Sequence, residues 1–212
     1  MLPHGQGGGF FFAPMKPRLD EKGALRAAID RLRAALFPDE IARRSLFAKE
    51  RLLALPPLVE ARAGATVALY LPLPGELDTL PIFEALAARG FRCAFPRVER
   101  GHPRLRFFPL SPGEPVERGP LGVPQPPARD EIPLEAIDLF LVPGQAFDRR
   151  GGRLGRGKGY YDATLAAAAR AERIGLGFRE QLVQVVPMFA HDAPMDWIVT
   201  DAEVVRCPAR GT

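Results

Sequence analysis

An α/β fold on a mostly parallel sheet, with helices on both faces, is what this chain of 212 residues predicts. Two observations carry the expectation. Apolar runs of strand length alternate with amphipathic stretches of helical period. In addition, the strongly apolar "AIDLFLVPG" leads through a basic glycine loop into a helical segment, the order of a parallel α/β unit.

The elements follow in order. To about Pro17 the chain carries Gly and Pro without periodicity, so residues 1–17 are expected to be a flexible extension before one domain spanning 18–212. Met15 is an alternative start. From Lys22, the residues Leu25, Ile29, Leu32 and Leu36 fall at helical spacing, and Pro38 is expected to stop that helix. Asp39 can cap a second helix, with the stripe Ile41, Ser45, Ala48, Leu52 and Leu55, before Pro56 and Pro57 end it.

The period then changes. "TVALYLPLP", from Thr66 to Pro74, reads as a buried strand. "DTLPIFEALAARG" reads as a helix capped by Asp78 or Thr79, with proline in its first turn and Gly90 at its end. "FRCAFPRV" and "LRFFPL" are two further strands. The proline-rich stretch 111–133 is expected to hold no regular structure, and its length suggests a functional role. After the apolar strand and the basic loop come a helix, "YDATLAAAARAE", and two short strands, "RIGLGF" and "WIVT".

Composition narrows the function classes. Charged residues make up 25% and hydrophobic ones 47%, which excludes a disordered or fibrous chain. No apolar run approaches the roughly 20 residues that span a bilayer, and the start lacks the regions of a signal peptide. A cytoplasmic protein without membrane contact is the expectation. Cys93 and Cys207 are too few and too scattered for a disulfide framework or metal site. The net charge of +4 hints at an anionic partner but is modest for a dedicated nucleic-acid binder.

The loop "RRGGRLGRGKGYYD", Arg149 to Asp162, concentrates that charge. It does not fit G-x-G-x-x-G, since its glycines run Gly155-x-Gly157-x-Gly159. It nearly fits the P-loop from Gly152 to Lys158, but Gly159 replaces the hydroxyl residue that would hold Mg²⁺. Phosphate suits it nonetheless. Glycines let the backbone approach an anion, and Arg153, Arg156 and Lys158 can neutralise it. Asp162 either binds a metal ion bridging those phosphates or merely complements the helix dipole.

"LVPGQAFDRRGGRLGRGKGYYD" closely resembles the signature of the 5-formyltetrahydrofolate cyclo-ligase family. The segments "EKGALRAAI", "YLPLPGELDT", "VPQPP" and "GLGFREQLVQVVPMFAHDAPMDWIVT" resemble other parts of that family in the same order. The resemblance implies a three-layer α/β/α fold similar to ribose-5-phosphate isomerases, and a monomer acting on small molecules rather than nucleic acid. It implies an ATP- and Mg²⁺-dependent closure of 5-formyltetrahydrofolate to 5,10-methenyltetrahydrofolate, with release of ADP and phosphate.

It also implies residue roles. ATP would be bound by Lys22, Arg26 and the run Arg153, Leu154, Gly155, Arg156, Gly157, Lys158, Gly159, Tyr160 and Tyr161. The folate would meet Arg26, Leu71, Glu76 and the run Arg156 to Tyr160, with Glu76 on the polar edge of the pterin ring. Phe107 or Phe108 would line the pterin slot, or else pack in the core. The chemical step would fall to Arg156, Lys158 and Tyr160, and Mg²⁺ to Asp162 and Asp192. His191 receives no role. Gln145 departs from the small or aliphatic residue frequent in the family and is expected near the ligand.

Overall fold

Proline opens helices in this chain more than it closes them. The computed structural model describes residues 19–120 and 122–210. Within it, α1 (Leu19–Ala34) has already ended when Pro38 begins α2 (Pro38–Leu53). Asp39 therefore does not cap α2. Phe37 holds the cap position and Asp39 lies in the first turn, where its charge suits the helix dipole. Pro56 likewise starts a single-turn helix, α3 (Pro56–Val59). The reason is common to both: proline has φ preset for the first helical position, where its missing N–H has no partner to lose.

Strands and helices then alternate. β1 (Thr66–Ala68) is followed by α4 (Leu80–Ala88), β2 (Arg92–Arg97) and β3 (Arg106–Pro109). β4 (Glu117–Arg118) and β5 (Pro124–Gln125) form a two-stranded ribbon within the proline-rich stretch, which is thus not free of regular structure. Proline is tolerated there because a two-strand ribbon leaves one edge of each strand unpaired. Next come β6 (Leu139–Pro143), β7 (Ala146–Asp148), β8 (Arg153–Leu154), α5 (Tyr160–Ala167) and β9 (Glu172–Leu176). β10 (Leu182–Val183), β11 (Trp197–Val199) and β12 (Val204–Arg206) complete the order.

The main sheet runs β12-β11-β9-β6-β1-β2-β3. Its neighbours from β11 through β2 pair in parallel, and the two edge strands β12 and β3 are antiparallel. β6 explains why its sequence is continuously apolar. Leu139 and Leu141 join the core under α2, α3 and α4, while Phe140 and Val142 join the core under α5. Side chains alternate across a strand, so a strand covered on both faces must be apolar at every position. The expected strand to Pro74 is regular only at β1, since prolines at 72 and 74 cannot donate to a ladder.

α1 lies apart from the main sheet. It packs through Ile29 on Ala146, Leu154 and Val186, against a small sheet ordered β10-β7-β8. The expected single loop between β6 and α5 therefore contains a hairpin. The N-terminal extension and the alternative start at Met15 lie outside the described residues. Among the described residues, no helix is long and apolar enough to cross a membrane.

Cys93 and Cys207 are both free and buried, and burial pushes each thiol up to about 12. Since the thiolate is the reactive form, neither should react with Ellman's reagent at neutral pH in the folded protein, and both should react in denaturant. Rapid labelling of the native protein would contradict the packing described.

Candidate active site

Asp148 divides the basic glycine segment into a structural turn and a cavity wall. Its buried carboxylate accepts N–H bonds from Arg150 (2.9 Å), Gly152 (3.0 Å) and Val186 (2.8 Å). Gly151 has φ +87°, and a Cβ there would sit 2.6 Å from the Met195 carbonyl oxygen. Arg149 to Gly152 is thus the tight turn between β7 and β8. Arg149 pairs with Glu203 at 2.6 Å and Arg150 with Asp148 at 3.2 Å. Neither arginine lines the cavity.

From Arg153 onward the chain borders a cavity of about 340 Å³. Six other segments border it: α1, the stretch from Tyr70 to Glu76, the end of β2 and its turn to β3 (Pro96, Val98 and Leu105), the β4–β5 ribbon, Pro143 and Gly144 at the end of β6, and the stretch Phe189 to Asp192. Apart from Phe107 and Phe108, the residues that the resemblance assigned to ATP, folate and metal lie in this lining, although the assignments span Lys22 to Asp192. Leu154 borders the cavity and also packs with Ile29 under α1. The position outside the strand ends, before a helix start, is where open α/β sheets place ligands.

The walls are electrostatically paired. Lys22 meets Asp192 at 2.5 Å and lies 4.1 Å from the Phe189 ring centre. Arg26 Nε donates to the Gly155 carbonyl at 2.9 Å, tying α1 to the loop. Arg153 is buried, donating to Asp162 Oδ1 at 2.8 Å and to the Pro143 carbonyl at 3.2 Å, above the Tyr161 ring. Asp162 also accepts the Ala193 N–H at 3.2 Å. Arg156 reaches Glu76 at 2.8 Å, while Lys158 stands exposed at the rim. Gly159, with φ +73°, turns the chain into α5.

Two tyrosines stay neutral inside the wall. Burial pushes Tyr70 and Tyr161 well above the ordinary tyrosine value, with the Glu76 charge adding to both. The Tyr161 hydroxyl is buried without a hydrogen-bond partner. Tyr160 and Tyr161 both border the cavity and both pack on the α5-side core.

Of the two readings open for Phe107 and Phe108, the structure has the core one: neither lines the cavity, and Phe107 packs edge-on against Phe140 at 5.4 Å between centroids. The expectation for Gln145 is corrected. Gln145 is buried behind the cavity, where its Oε1 accepts from Arg33 Nη1 at 2.9 Å. Arg153 lines the cavity with its charge already partnered by Asp162.

Sequence reading missed Arg33, Tyr70, Phe189 and the ribbon residues Pro120, Val123 and Pro124. Arg33 carried a legible signal. It follows Lys22 by eleven positions, which at roughly 100° per residue returns it to the same face as Lys22 and Arg26.

Comparison with known proteins identifies the family. The chain matches the model of the 5-formyltetrahydrofolate cyclo-ligase family over residues 18–201. It is 34% identical over 180 residues to the 5-formyltetrahydrofolate cyclo-ligase of Escherichia coli (strain K12), covering 81% of this chain and 96% of that protein. To the Mus musculus protein of the same name it is 27% identical over 190 residues, covering 84% and 92%. The fold is similar to the NMR structure of Aquifex aeolicus 5,10-methenyltetrahydrofolate synthetase, with TM-score 0.75, 30% identity and coverage of 90% and 95%. A Mycoplasma pneumoniae 5,10-methenyltetrahydrofolate synthetase gives TM-score 0.69 at 27% identity, covering 85% and 99%. The chain belongs to the 5-formyltetrahydrofolate cyclo-ligase family, a family of ligases.

Proposed function

We propose that this enzyme uses ATP and Mg²⁺ to close 5-formyltetrahydrofolate into 5,10-methenyltetrahydrofolate, releasing ADP and phosphate. The observation that carries the reading is convergence: a basic glycine loop, two carboxylates near it and a third carboxylate, Glu76, all border one cavity. Kinship with ribose-5-phosphate isomerases and action as a monomer belong to the same proposal.

The chemistry explains the residue types. A formamide oxygen is a poor leaving group. Transfer of the γ-phosphoryl group to that oxygen gives a phosphorylated imidate; the neighbouring ring-closing nitrogen then attacks its carbon and gives up its proton to solvent, while the C–O bond breaks and phosphate departs. Such a transfer needs alignment and charge stabilisation rather than a protein nucleophile. Lys158 and Arg156, flanked by glycines, supply mobile positive charge to the phosphates. Lys22 and Arg26 add positive charge held in place on α1. Glu76 takes the polar edge of the pterin, Leu71 its apolar face, and Tyr160 closes the wall at the start of α5.

The donor set suits magnesium only together with a nucleotide. Among the described residues, no cluster of three or more His, Cys, Asp or Glu side chains forms a metal cage. Mg²⁺ commonly takes one or two carboxylates plus substrate phosphates and water. Asp162 and Asp192 would hold it here, where it would neutralise the developing phosphate charge.

Two tests follow. Methenyl product should form, by its absorbance, only when ATP and Mg²⁺ are both present. Product formed equally without ATP would overturn the reading. A non-catalytic nucleic-acid binder would instead bind single strands with steep salt dependence. Lys158→Ala should weaken ATP by about 1–3 kcal/mol and 5-formyltetrahydrofolate less. Equal losses in the two KM values would show that Lys158 serves both ligands.

A further inference from the structure

Glu76 divides its carboxylate between two unlike cations. Oε1 lies 2.8 Å from Arg156 Nη2 and 3.8 Å from Arg33 Nη2, and Oε2 accepts the Leu73 N–H at 3.0 Å. The Arg156 side chain is 50% exposed and sits between two glycines on the loop assigned to phosphate. Arg33 is buried and immobile by comparison. Its Nε donates to the Gly75 carbonyl at 2.8 Å and its Nη1 to Gln145 Oε1 at 2.9 Å. Gln145 is itself anchored, since its carbonyl accepts from Gln181 Nε2 at 3.2 Å. Arg33 does not border the cavity.

The Glu76 side chain is only 11% exposed, and an ionised carboxylate so enclosed is costly without a cation beside it. If Arg156 were its only partner, an anion that recruited Arg156 would leave Glu76 uncompensated. Arg33 removes that conflict. It keeps a second positive charge behind the carboxylate, and its bond to Gly75, at φ +75°, holds the turn that aims Glu76 into the cavity. Burial pulls the Arg33 guanidinium below its ordinary value and Arg156 lowers it further, while Glu76 opposes both.

We propose that Arg33 is a positioning residue. From behind the wall, it fixes and compensates Glu76, so that Glu76 can meet the folate while Arg156 serves the phosphates. The inference rests on the reading of Glu76 as the folate-facing carboxylate. It predicts that loss of Arg33 is felt at the folate end and not at the nucleotide end.

The test is steady-state kinetics for both substrates on the wild type, Arg33→Met, Glu76→Gln and the double variant. Arg33→Met should raise KM for 5-formyltetrahydrofolate by about tenfold or more and leave KM for ATP within about threefold. The double variant should be no worse than the poorer single variant, within about threefold, because Arg33 acts through Glu76. Arg33→Lys keeps the charge but cannot span Gly75 and Gln145 together, so it should fall between wild type and Arg33→Met.

Equal rises in both KM values overturn the inference, as do single effects that multiply in the double variant. Should Arg33→Met fail to fold, Gln145→Met loosens the guanidinium on one side and must show the same folate-selective effect and the same failure to multiply with Glu76→Gln. A wild type that makes no methenyl product overturns the proposed function and this inference together. A wild type that turns over while the variants multiply overturns this inference alone.

Discussion

Asp162→Asn is expected to lower turnover on the order of a hundredfold to a thousandfold, the loss typical when one charge-stabilising group is removed from an active site. The fold should survive. Asn keeps an oxygen that can accept from Arg153 Nη2 and from the Ala193 N–H, so both bonds of Asp162 can persist. What disappears is the negative charge. The choice of Asn over Ala matters here. Both substitutions remove the charge beside the buried Arg153 guanidinium, but Ala also removes the accepting oxygen, and breaking a buried pair outright costs about 3–5 kcal/mol. Thermal melting and the product assay should be run on the same sample. An active variant would remove Asp162 from the metal site, and a collapsed melting transition would make its role structural.

The largest stability effect is expected far from the cavity, at Asp201→Ala. Asp201 is buried after β11 and accepts from Arg44 Nε at 2.8 Å, Arg44 Nη2 at 3.1 Å and Arg179 Nη2 at 2.8 Å. Arg44 comes from α2 and reaches Glu180 at 2.5 Å as well. Removing Asp201 leaves a buried guanidinium without its inner partner, so the variant should lose about 3–5 kcal/mol. The loss should depend on pH. Burial opposes ionisation of Asp201, but the bonds from Arg44 and Arg179 outweigh it and hold the carboxyl below its ordinary value. A depressed carboxylate stabilises the fold fully above its unfolded value of about 3.9 and loses that contribution as pH falls through the folded value. Urea melts should therefore show a wide gap between wild type and variant at neutral pH, narrowing in acid. A gap independent of pH would contradict the assignment.

Legibility in the sequence followed how local each signal was. β6 was readable because burial on both faces demands an unbroken apolar run, and α4 because Pro81 and Gly90 punctuate it. The start of α2 was misread: proline stops a helix or starts one equally well, and only packing decides between Pro38 as an end and as a beginning. The basic loop was readable as a candidate site, and it does border a cavity, but its division was not legible. Asp148 organises Arg149 to Gly152 through three N–H bonds, one of them from Val186, which is distant in sequence. Pairings of that range leave no periodic trace. For the same reason Lys22 and Asp192 were each nominated, yet their contact across the chain was not. Arg33 was passed over because the apolar stripe from Leu25 to Leu36 drew attention to another face of α1. The buried stripe is Lys22, Ile29 and Arg33, with Leu32 half exposed. On this helix Lys22 and Arg33 face inward, while Glu21, Asp30 and Arg31 are exposed.

The central claim is that one cavity brings the terminal phosphoryl group of ATP to the formyl oxygen of the folate. It is tested most directly by labelling that oxygen with ¹⁸O and analysing the released inorganic phosphate by mass spectrometry after a single turnover. If the formyl oxygen is phosphorylated and leaves with phosphate, the label appears in the phosphate, one atom for each methenyl product formed. Unlabelled phosphate, with the isotope recovered in water, would mean that the folate oxygen never meets the phosphoryl group, and would contradict the account.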